Sequence, residues 1–246
     1  MGTLVAAQDR ILLPNRTPYY QRVRSVETSS LIGYWPLWEP SGAVAEDLSP
    51  EKNNGAYTAV TLRAAGIGDG RTAGSFDGST SYCNIYSAGL NTDFNGQEFT
   101  VLLWARVNAA SVWTDASDRR LITLMVDSNN LISIRKTATA NQLLWFYKAG
   151  GVQFGPASTA YATTDWLVLA MTASKSGDQF KIFAQGAQVG STSTGLGLWS
   201  GSLLSTQALI GAYSTTPDQL WHGSIAHVAL WKKALSPAQI QFLSRR

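Results

Sequence analysis

The sequence predicts an all-β sandwich of two antiparallel sheets, closed by a short C-terminal helix. The main support is a strand pattern that recurs along the chain. In residues 99–107, "FTVLLWARV", five apolar side chains fall on one face at a period of two residues, so we expect that face in the core and the opposite face partly covered. Seven further apolar segments of strand length repeat the theme: 121–126, 130–136, 142–148, 165–174, 179–186, 207–213 and 224–231. Eight or more short strands at this spacing are typical of a sandwich.

Turn residues and one capped helix support the same prediction. Clusters such as "DSNN", "KAGG" and "KSGD" separate the strands and supply the Asn, Asp and Gly that tight turns need. Near the end of the chain, "LSPAQIQFLSRR" predicts a helix in which Ser236 caps the first turn, Pro237 takes the first helical position and Gln239 completes a capping box. We expect this helix to seal one end of the sandwich.

The charge composition narrows the range of partners. Only 14% of the 246 residues are charged, below the roughly 25% of typical soluble domains, so the surface must rely on uncharged polar side chains. The formal net charge of +3 is too small for a phosphate-binding surface, so we expect no nucleic-acid partner. No run approaches the roughly 18 apolar residues of a membrane span, so no membrane partner is expected. The single cysteine, Cys83, cannot form an internal disulfide and is expected in a buried strand.

Residues 1–30 differ from the rest of the chain and predict an extended N-terminal docking arm. They contain two prolines, no lysine and no sustained strand or helix period. Isolated apolar and aromatic anchors between arginines are typical of segments that gain order on a partner surface, whereas the alternative is an unstructured leader. The expected docking residues are Arg10, Ile11, Leu12, Leu13, Arg16, Tyr19, Tyr20, Arg22 and Arg24. We expect residues 31–246 to fold without this arm, and the arm to join other protein subunits in a virion or a homo-oligomer.

Five motifs, in order, resemble the laminin G-like branch of the concanavalin A-like jelly rolls. The first, "LIGYWPLWEPSGAVAEDLSPEKNNGAY" in residues 31–57, follows the opening strand and loop of that family almost residue for residue. The others are "GSFDGSTSYCNI" (74–85), "EFTVLLWARV" (98–107), "DWLVLAMTAS" (165–174) and "GSIAHVALWKKALSPAQIQFL" (223–243). The resemblance covers residues 31–246 and implies a jelly-roll sandwich, a fold that hosts lectins, accessory modules of hydrolases and structural proteins. In the first strand, Pro36 cannot donate to a ladder, which suits an edge or a bulge.

No constellation for catalysis stands out, so we expect no enzyme activity. Glycoside hydrolases of this superfamily hold their acids close together on one strand, yet the chain has five glutamates and none stands in such a run. The two histidines, His222 and His227, accompany no G-x-S-x-G elbow, and His227 is expected to be a satisfied, partly buried strand residue. The Gly-rich residues 66–74 lead into a strand rather than a helix and are predicted to be a loop between strands. An unrecognised glycoside hydrolase remains a third alternative.

The resemblance also implies weak candidates for a structural calcium ion. Asp47 and Asp77 match family positions, but the acidic pair expected after "GSI" is replaced by Ala226 and His227. Because Ca²⁺ takes about six to eight oxygen ligands, the loss of a carboxylate weakens the site. We therefore predict no cofactor and expect Asp77 to cap its own turn.

Glycan binding would require exposed aromatic rings that stack on sugars. Trp113, Trp199 and Tyr213 lie in predicted loops or at strand ends and are the glycan-contact candidates. In the alternative interpretation, each of these rings covers the core or faces a neighbouring subunit.

These observations predict a non-enzymatic structural or binding protein. The N-terminus is interrupted at Asp9 and Arg10 before the apolar part of an export signal can form, yet the resemblance implies work outside cells. We therefore expect a phage virion subunit, either a capsid decoration or a tail-associated protein, anchored by its arm and displaying a jelly roll that contacts glycans. The alternative is a free carbohydrate-binding lectin module, which would be extracellular.

Overall fold

The computed structural model describes residues 17–158 and 161–246. The elements in chain order are α1 (Tyr19–Ser25), β1 (Leu31–Trp35), β2 (Val44–Ala45), β3 (Gly55–Thr58), β4 (Thr61–Ala65), β5 (Thr72–Asp77), β6 (Tyr82–Asn84), α2 (Ala88–Asp93), β7 (Glu98–Val107), β8 (Arg119–Asp127), β9 (Asn130–Lys136), β10 (Leu143–Ala149), β11 (Val152–Phe154), β12 (Ala157–Ser158), β13 (Leu167–Ser174), β14 (Gln179–Ala184), β15 (Ala187–Ser193), β16 (Ala208–Ile210), β17 (His222–Trp231) and α3 (Pro237–Leu243). Short 3₁₀ turns occur at Thr28–Ser30 and Ala110–Thr114. None of the helices in the described part of the chain has the length and apolar character needed to cross a membrane.

The strands form two antiparallel sheets packed face to face. In the first sheet the hydrogen-bonded order is β15-β14-β13-β7-β17-β5-β4, and β1 also pairs with β17. In the second sheet the order is β11-β10-β9-β8-β16-β6-β3-β2, and β12 also pairs with β10. Neighbours such as β7 and β17 are far apart in sequence, so the C-terminal strand is built into the middle of its sheet. The predicted sandwich and its short C-terminal helix are confirmed.

Each of the eight predicted strand segments contains a strand, with boundaries that shift by a few residues. The largest difference is at 207–213, where β16 ends at Ile210 and the chain then turns back, with Tyr213 N donating to the carbonyl of Asp218 at 3.0 Å. Six further strands did not follow from the pattern: β2, β3, β4, β11, β12 and β15. β2, β3, β4, β11 and β15 are largely exposed or alternate only weakly between buried and exposed positions. Their sequences therefore lack the apolar alternation that predicts a strand. The predicted loop at 66–74 joins β4 to β5 as a hairpin connection.

The core lies between the sheets, and β7 shows how the sequence fills it. Phe99, Val101 and Leu103 are buried in this core, as the alternation predicts. The intervening Leu102 and Trp104 are also buried, but on the opposite face of the same sheet. The neighbouring β13 follows the same rule, because its side chains alternate between the two clusters. The first sheet is therefore apolar on both faces, and its outer face needs a cover.

Two helices provide that cover. α3 buries Ile240 and Leu243, and α1 buries Tyr19 and Val23, in one cluster on the outer face of the first sheet. α3 begins with the predicted capping box. α1 has no side-chain cap and spans only seven residues, so packing rather than local sequence holds it in the helical state.

The structure corrects the predicted extended arm over residues 17–30. Tyr19 Oη donates to the carbonyl of Leu243 at 2.9 Å and accepts from Trp104 Nε1 at 2.7 Å. Trp231 Nε1 donates to the carbonyl of Val26 at 2.9 Å. These residues belong to the folded domain. Packing them on the first sheet removes apolar surface of both the sheet and the segment from water, which stabilises the packed state relative to a free arm. The expectation that residues 31–246 fold without this segment stays a prediction, and truncation would now remove side chains that pack on the first sheet.

The other predicted docking residues have different outcomes. Tyr20 packs edge-on against Trp38, Arg22 donates to the carbonyl of Phe242 at 3.2 Å, and Arg24 is exposed. Tyr20 and Arg22 therefore contact their own domain. The remaining docking residues lie outside the described part of the chain: Arg10, Ile11, Leu12, Leu13 and Arg16.

A one-residue bulge at His227 divides β17. Before the bulge the strand pairs with β5, and after it with β1. The pairing with β7 skips from Ala226 to Ala229, and His227 takes a left-handed backbone with φ 52°. His227 N donates to the carbonyl of Pro36 at 3.1 Å, so the residue that directly follows β1 also closes the bulge. This agrees with the edge or bulge predicted for Pro36.

We expect Val23→Ala to lower the free energy of unfolding by about 2 kcal/mol, because Val23 is fully buried between α1 and the first sheet. The matched control is Arg24→Ala, one residue away and exposed, which should change stability by no more than about 0.5 kcal/mol. Urea denaturation followed by far-ultraviolet circular dichroism measures both. Equal, small effects of the two substitutions would contradict the packing of α1 on the sheet.

Candidate functional site

A buried polar chain at the bulge first resembles a catalytic arrangement. Tyr34 Oη lies 2.7 Å from His227 Nδ1, and His227 Nε2 lies 3.0 Å from Asp69 Oδ2. The second contact is close, although the ring N–H is not well aligned with the carboxylate oxygen. A hydroxyl, an imidazole and a carboxylate in this order are also the members of a nucleophile triad.

Burial gives this network of polar side chains a structural rather than a catalytic role. It lowers the pKa of His227, because the loss of hydration disfavours the imidazolium more than the Asp69 carboxylate favours it. Burial acts to raise the pKa of Asp69, but the contact with His227 and the backbone N–H of Arg71 lower it on balance. Desolvation raises the pKa of Tyr34 well above its usual value. Since Tyr34 and His227 are both 0% exposed, a neutral phenol and a neutral imidazole lie where no substrate reaches them.

The two calcium candidates are engaged by their own loops. The Asp47 carboxylate is buried and accepts three backbone N–H groups, from Tyr34, Ser49 and Asn53. Asp77 accepts three backbone N–H groups of its turn, from Ser79, Thr80 and Ser81, which confirms the predicted turn cap. Within residues 17–158 and 161–246 no three His, Cys, Asp or Glu side chains group in a way that suits a metal ion. These carboxylates thus order loops through charge-assisted hydrogen bonds.

Two of the three glycan-contact candidates are not at the surface. Trp113 is 1% exposed, donates from Nε1 to the carbonyl of Thr163 and stacks on Tyr161. Trp199 is 6% exposed and packs edge-on against Phe94. The prediction that these rings are available for stacking is wrong, because both irregular segments turn their indole groups inward to fill gaps at the edges of the core.

Tyr213, the third candidate, lies over the outer face of the second sheet. Its ring is partly exposed, and its hydroxyl donates to Met125 Sδ at 3.5 Å. The guanidinium of Arg120 lies 4.6 Å from the ring centroid. The backbone is fixed nearby, since Thr123 Oγ1 donates to the carbonyl of Ala212 at 2.9 Å. Two sets of contacts therefore hold Tyr213 against β8. Its own side chain contacts Arg120 and Met125, and the carbonyl of the preceding residue, Ala212, accepts the hydrogen bond from Thr123.

We call the outward surface of β8, β9 and β10 together with Tyr213 the Tyr213 face. Strand register places Arg120 opposite Arg135, and Ser133 opposite Phe146. The intervening side chains of β9 and β10 point into the core. The members of the face are Arg120, Thr123, Met125, Leu131, Ser133, Arg135, Leu144, Phe146, Lys148 and Tyr213. Arg135, Phe146 and Tyr213 are partly exposed, so the face offers solvent both aromatic and cationic groups.

Two arginines dominate the electrostatics of this face. Arg120 is 5% exposed; its Nε donates to Gln219 Oε1 at 2.8 Å, and its Nη1 has no hydrogen-bond partner among the described residues. Arg135 Nη1 contacts Asp118 Oδ2 at 3.2 Å, while its buried Nε has no such partner. Burial, together with the charge of Arg135, lowers the pKa of Arg120 to about 10, which leaves the guanidinium charged at neutral pH.

Sequence reasoning missed Arg120, Ser133, Arg135 and Phe146. A signal existed in "NLISIRK", where two isoleucines alternate with Leu131, Ser133 and Arg135. With the isoleucines inward, Ser133 and Arg135 must point outward from the sheet. Their proximity to Arg120 and Tyr213 depends on strand order and on the turn after β16, which a single sequence does not specify.

The fold is that of a lectin-like jelly-roll sandwich. A sequence profile of the concanavalin A-like lectin/glucanases superfamily matches residues 77–241, about two thirds of the chain. The chain belongs to that superfamily, which confirms the resemblance of its motifs. No curated protein matches the sequence.

Solved structures with 12–15% identity share the fold. Domain 4 of AbnA, a GH43 extracellular arabinanase from Geobacillus stearothermophilus in complex with arabinotriose, is 15% identical with a TM-score of 0.59, and the match covers 88% of this chain and 98% of that domain. The binding domain of Paraclostridial Mosquitocidal Protein 1 is 15% identical with a TM-score of 0.65, over 88% of this chain and 52% of that one. Trypanosoma rangeli sialidase in complex with sialic acid is 12% identical with a TM-score of 0.65, over 92% of this chain and 36% of that one. The chain thus spans about half of the toxin binding domain and about a third of the sialidase.

Because the His227 imidazole is buried, we expect the protein to lose stability in mild acid. Because the pKa of His227 is lowered in the folded state, the unfolded chain binds more protons below about pH 6.5, and the free energy of unfolding falls as the pH decreases from there. His227→Asn, which tolerates the left-handed backbone, should flatten this fall in urea denaturation at stepped pH values. The other titratable or charged groups that act on the imidazole are Asp69, Arg71, Tyr19 and Tyr34.

The control is His222→Asn, on the same strand but partly exposed, which should keep the wild-type slope. An unchanged slope in the His227 variant would show that this imidazole does not titrate with unfolding.

Proposed function

We propose that this protein is a non-enzymatic carbohydrate-binding module whose glycan site is the Tyr213 face. The observation that carries the proposal is the position of Tyr213, a partly exposed ring anchored on a sheet surface beside Phe146 and two arginines. The central part of the outer face of the first sheet is instead covered by α1 and α3. Domain 4 of AbnA, solved with arabinotriose, supports the proposal as an example of this fold holding a glycan.

The geometry around Tyr213 suits recognition of a sugar ring. Arg120 packs on the tyrosine within cation–π distance, which limits the motion of the ring before any ligand arrives. A ring fixed in advance loses little conformational entropy on binding. The opposite side of the ring is then the stacking surface for the apolar C–H groups of a sugar, and neighbouring guanidinium groups supply hydrogen-bond donors for its oxygens.

The absence of turnover is part of the proposal. It is supported by the burial of His227 and Tyr34 and by the hydrogen bonds that engage Asp47 and Asp77. Incubation with any glycan that binds should release no new reducing ends. Steady release that one Asp or Glu substitution abolishes would instead favour the glycoside hydrolase alternative.

A virion location, as a capsid decoration or a tail-associated subunit, remains a separate prediction, as do docking on other subunits and the extracellular alternative. The low charged fraction of the chain supports them only in general terms. Tyr19, Tyr20 and Arg22, on which partner docking partly rested, make contacts within the domain. The carbohydrate-binding module is therefore the function that we place first.

Tyr213→Ala should weaken glycan binding at least about tenfold, the loss expected for one stacked aromatic ring and its packing. The full chain is screened on an array of neutral and acidic glycans, and affinities for those bound are measured by isothermal titration calorimetry. The matched control is Tyr20→Ala, which removes a partly exposed tyrosine from the opposite, helical side of the domain. Thermal melts establish that both variants are folded.

Retention of full affinity in the Tyr213 variant, or an equal loss in the Tyr20 variant, would reject this face as the binding site. A wild-type protein that binds no glycan on the array would reject the proposed function itself.

A further inference from the structure

We propose that the paired arginines of the Tyr213 face select an acidic glycan, with Arg120 and Arg135 holding the anionic oxygens of a uronate or a sulfated sugar. This inference rests on the proposed function and adds the chemical class of the ligand. Its basis is a buried cation without a counter-ion, beside a second cation whose donors are only partly used.

Arg120 is the central observation. It is 5% exposed, and no carboxylate oxygen of the described residues lies within ion-pair distance of it. Its protein contacts are the amide oxygen of Gln219 and the ring of Tyr213, both uncharged. A buried charge with no opposite charge is costly, and folded proteins seldom keep one without a partner. The missing partner of Arg120 is therefore an anion that arrives with a ligand.

Arg135 doubles the positive charge at this point. It stands directly opposite Arg120 on the neighbouring strand, so two like charges share one surface of the sheet. Directly opposed like charges destabilise a strand pair. An anion between or beside the two guanidinium groups would remove this repulsion.

The nearest carboxylates do not neutralise both arginines. Asp118 contacts Arg135 at 3.2 Å but is not in ion-pair contact with Arg120. Asp218, whose charge is felt at Arg120, is exposed and makes no ion pair with it. Two cations therefore share one close carboxylate on this face.

Unpartnered donors lie directly beneath the surface at which the anion would bind. Arg120 Nη1, Arg135 Nε and Ser133 Oγ are all buried without a hydrogen-bond partner among the described residues, and all three belong to the outward surface of β8 and β9. Guanidinium groups bind carboxylate and sulfate oxygens through pairs of parallel N–H···O bonds. Tyr213, packed on Arg120, would at the same time stack on the sugar that carries the acid.

The test compares ligands that differ only in charge. Affinities of the full chain for tetragalacturonate, for its carboxyl-reduced neutral counterpart and for a sulfated galacto-tetrasaccharide are measured by calorimetry. We expect at least one acidic ligand to bind about tenfold or more tightly than the neutral one, with an advantage that shrinks as salt is added. Whichever acidic ligand binds more tightly identifies the source of the anion.

Three variants then locate the effect. Arg120→Met keeps the aliphatic stem but removes the charge, and should reduce the acid-to-neutral ratio to near one without lowering the melting temperature. Arg135→Met, a second route to the same result, should also reduce the ratio. Lys181→Met removes one positive charge from β14 of the first sheet, outside the Tyr213 face, and should leave the ratio unchanged.

Equal wild-type affinities for acidic and neutral tetrasaccharides, or a ratio that survives in both arginine variants, would overturn the inference. An equal loss in the Lys181 variant would also overturn it, because it would indicate general attraction to positive charge. Tyr213-dependent binding of the neutral ligand alone would leave the proposed function standing while the acidic selectivity fails.

Discussion

The first sheet is apolar on both faces, and much of the architecture follows from this constraint. β7 and β13 alternate between two buried clusters instead of between core and solvent. A sheet of this kind cannot remain open to water on one side, so further layers must cover it. The C-terminal helix α3 and the N-terminal helix α1 supply that layer, and the buried Tyr19 hydroxyl hydrogen-bonds both to Leu243 of α3 and to Trp104 of β7. The need to cover one surface thus explains why the segment before β1 packs on the first sheet.

The second sheet has the opposite character. Its inner face completes the core, while its outer face combines aliphatic, aromatic and cationic side chains, several of them partly exposed. Natural sheets commonly turn polar residues to water, but paired arginines with unused donors beside an aromatic ring go beyond what solubility needs. The proposed function therefore assigns recognition to the second sheet, and a substitution on the Tyr213 face need not disturb the covered face of the first.

The strands of the core could be predicted from the sequence, whereas the candidate site could be predicted only in part. Alternation in 99–107 and the capping box at Ser236 are local signals, so β7 and α3 were predictable. α1 was not, because its seven residues are helical through contacts with partners more than 200 positions away. Trp113 and Trp199 were misjudged because an irregular segment can point a side chain inward. The pairing of Arg120 with Arg135 is a matter of register, which depends on the folded sheet.

Because α1 and α3 cover the first sheet, the two outer faces of the sandwich differ. Thr17, at the N-terminal end of the described chain, and Arg246 line the same cavity of about 580 Å³ beside α1 and α3. Both residues therefore lie on the side of the first sheet, whereas Tyr213 lies on the far side of the second. Attachment through the C-terminal residue, to a resin, a fluorophore or another polypeptide, would leave the arginine-bearing surface pointing away from the point of attachment.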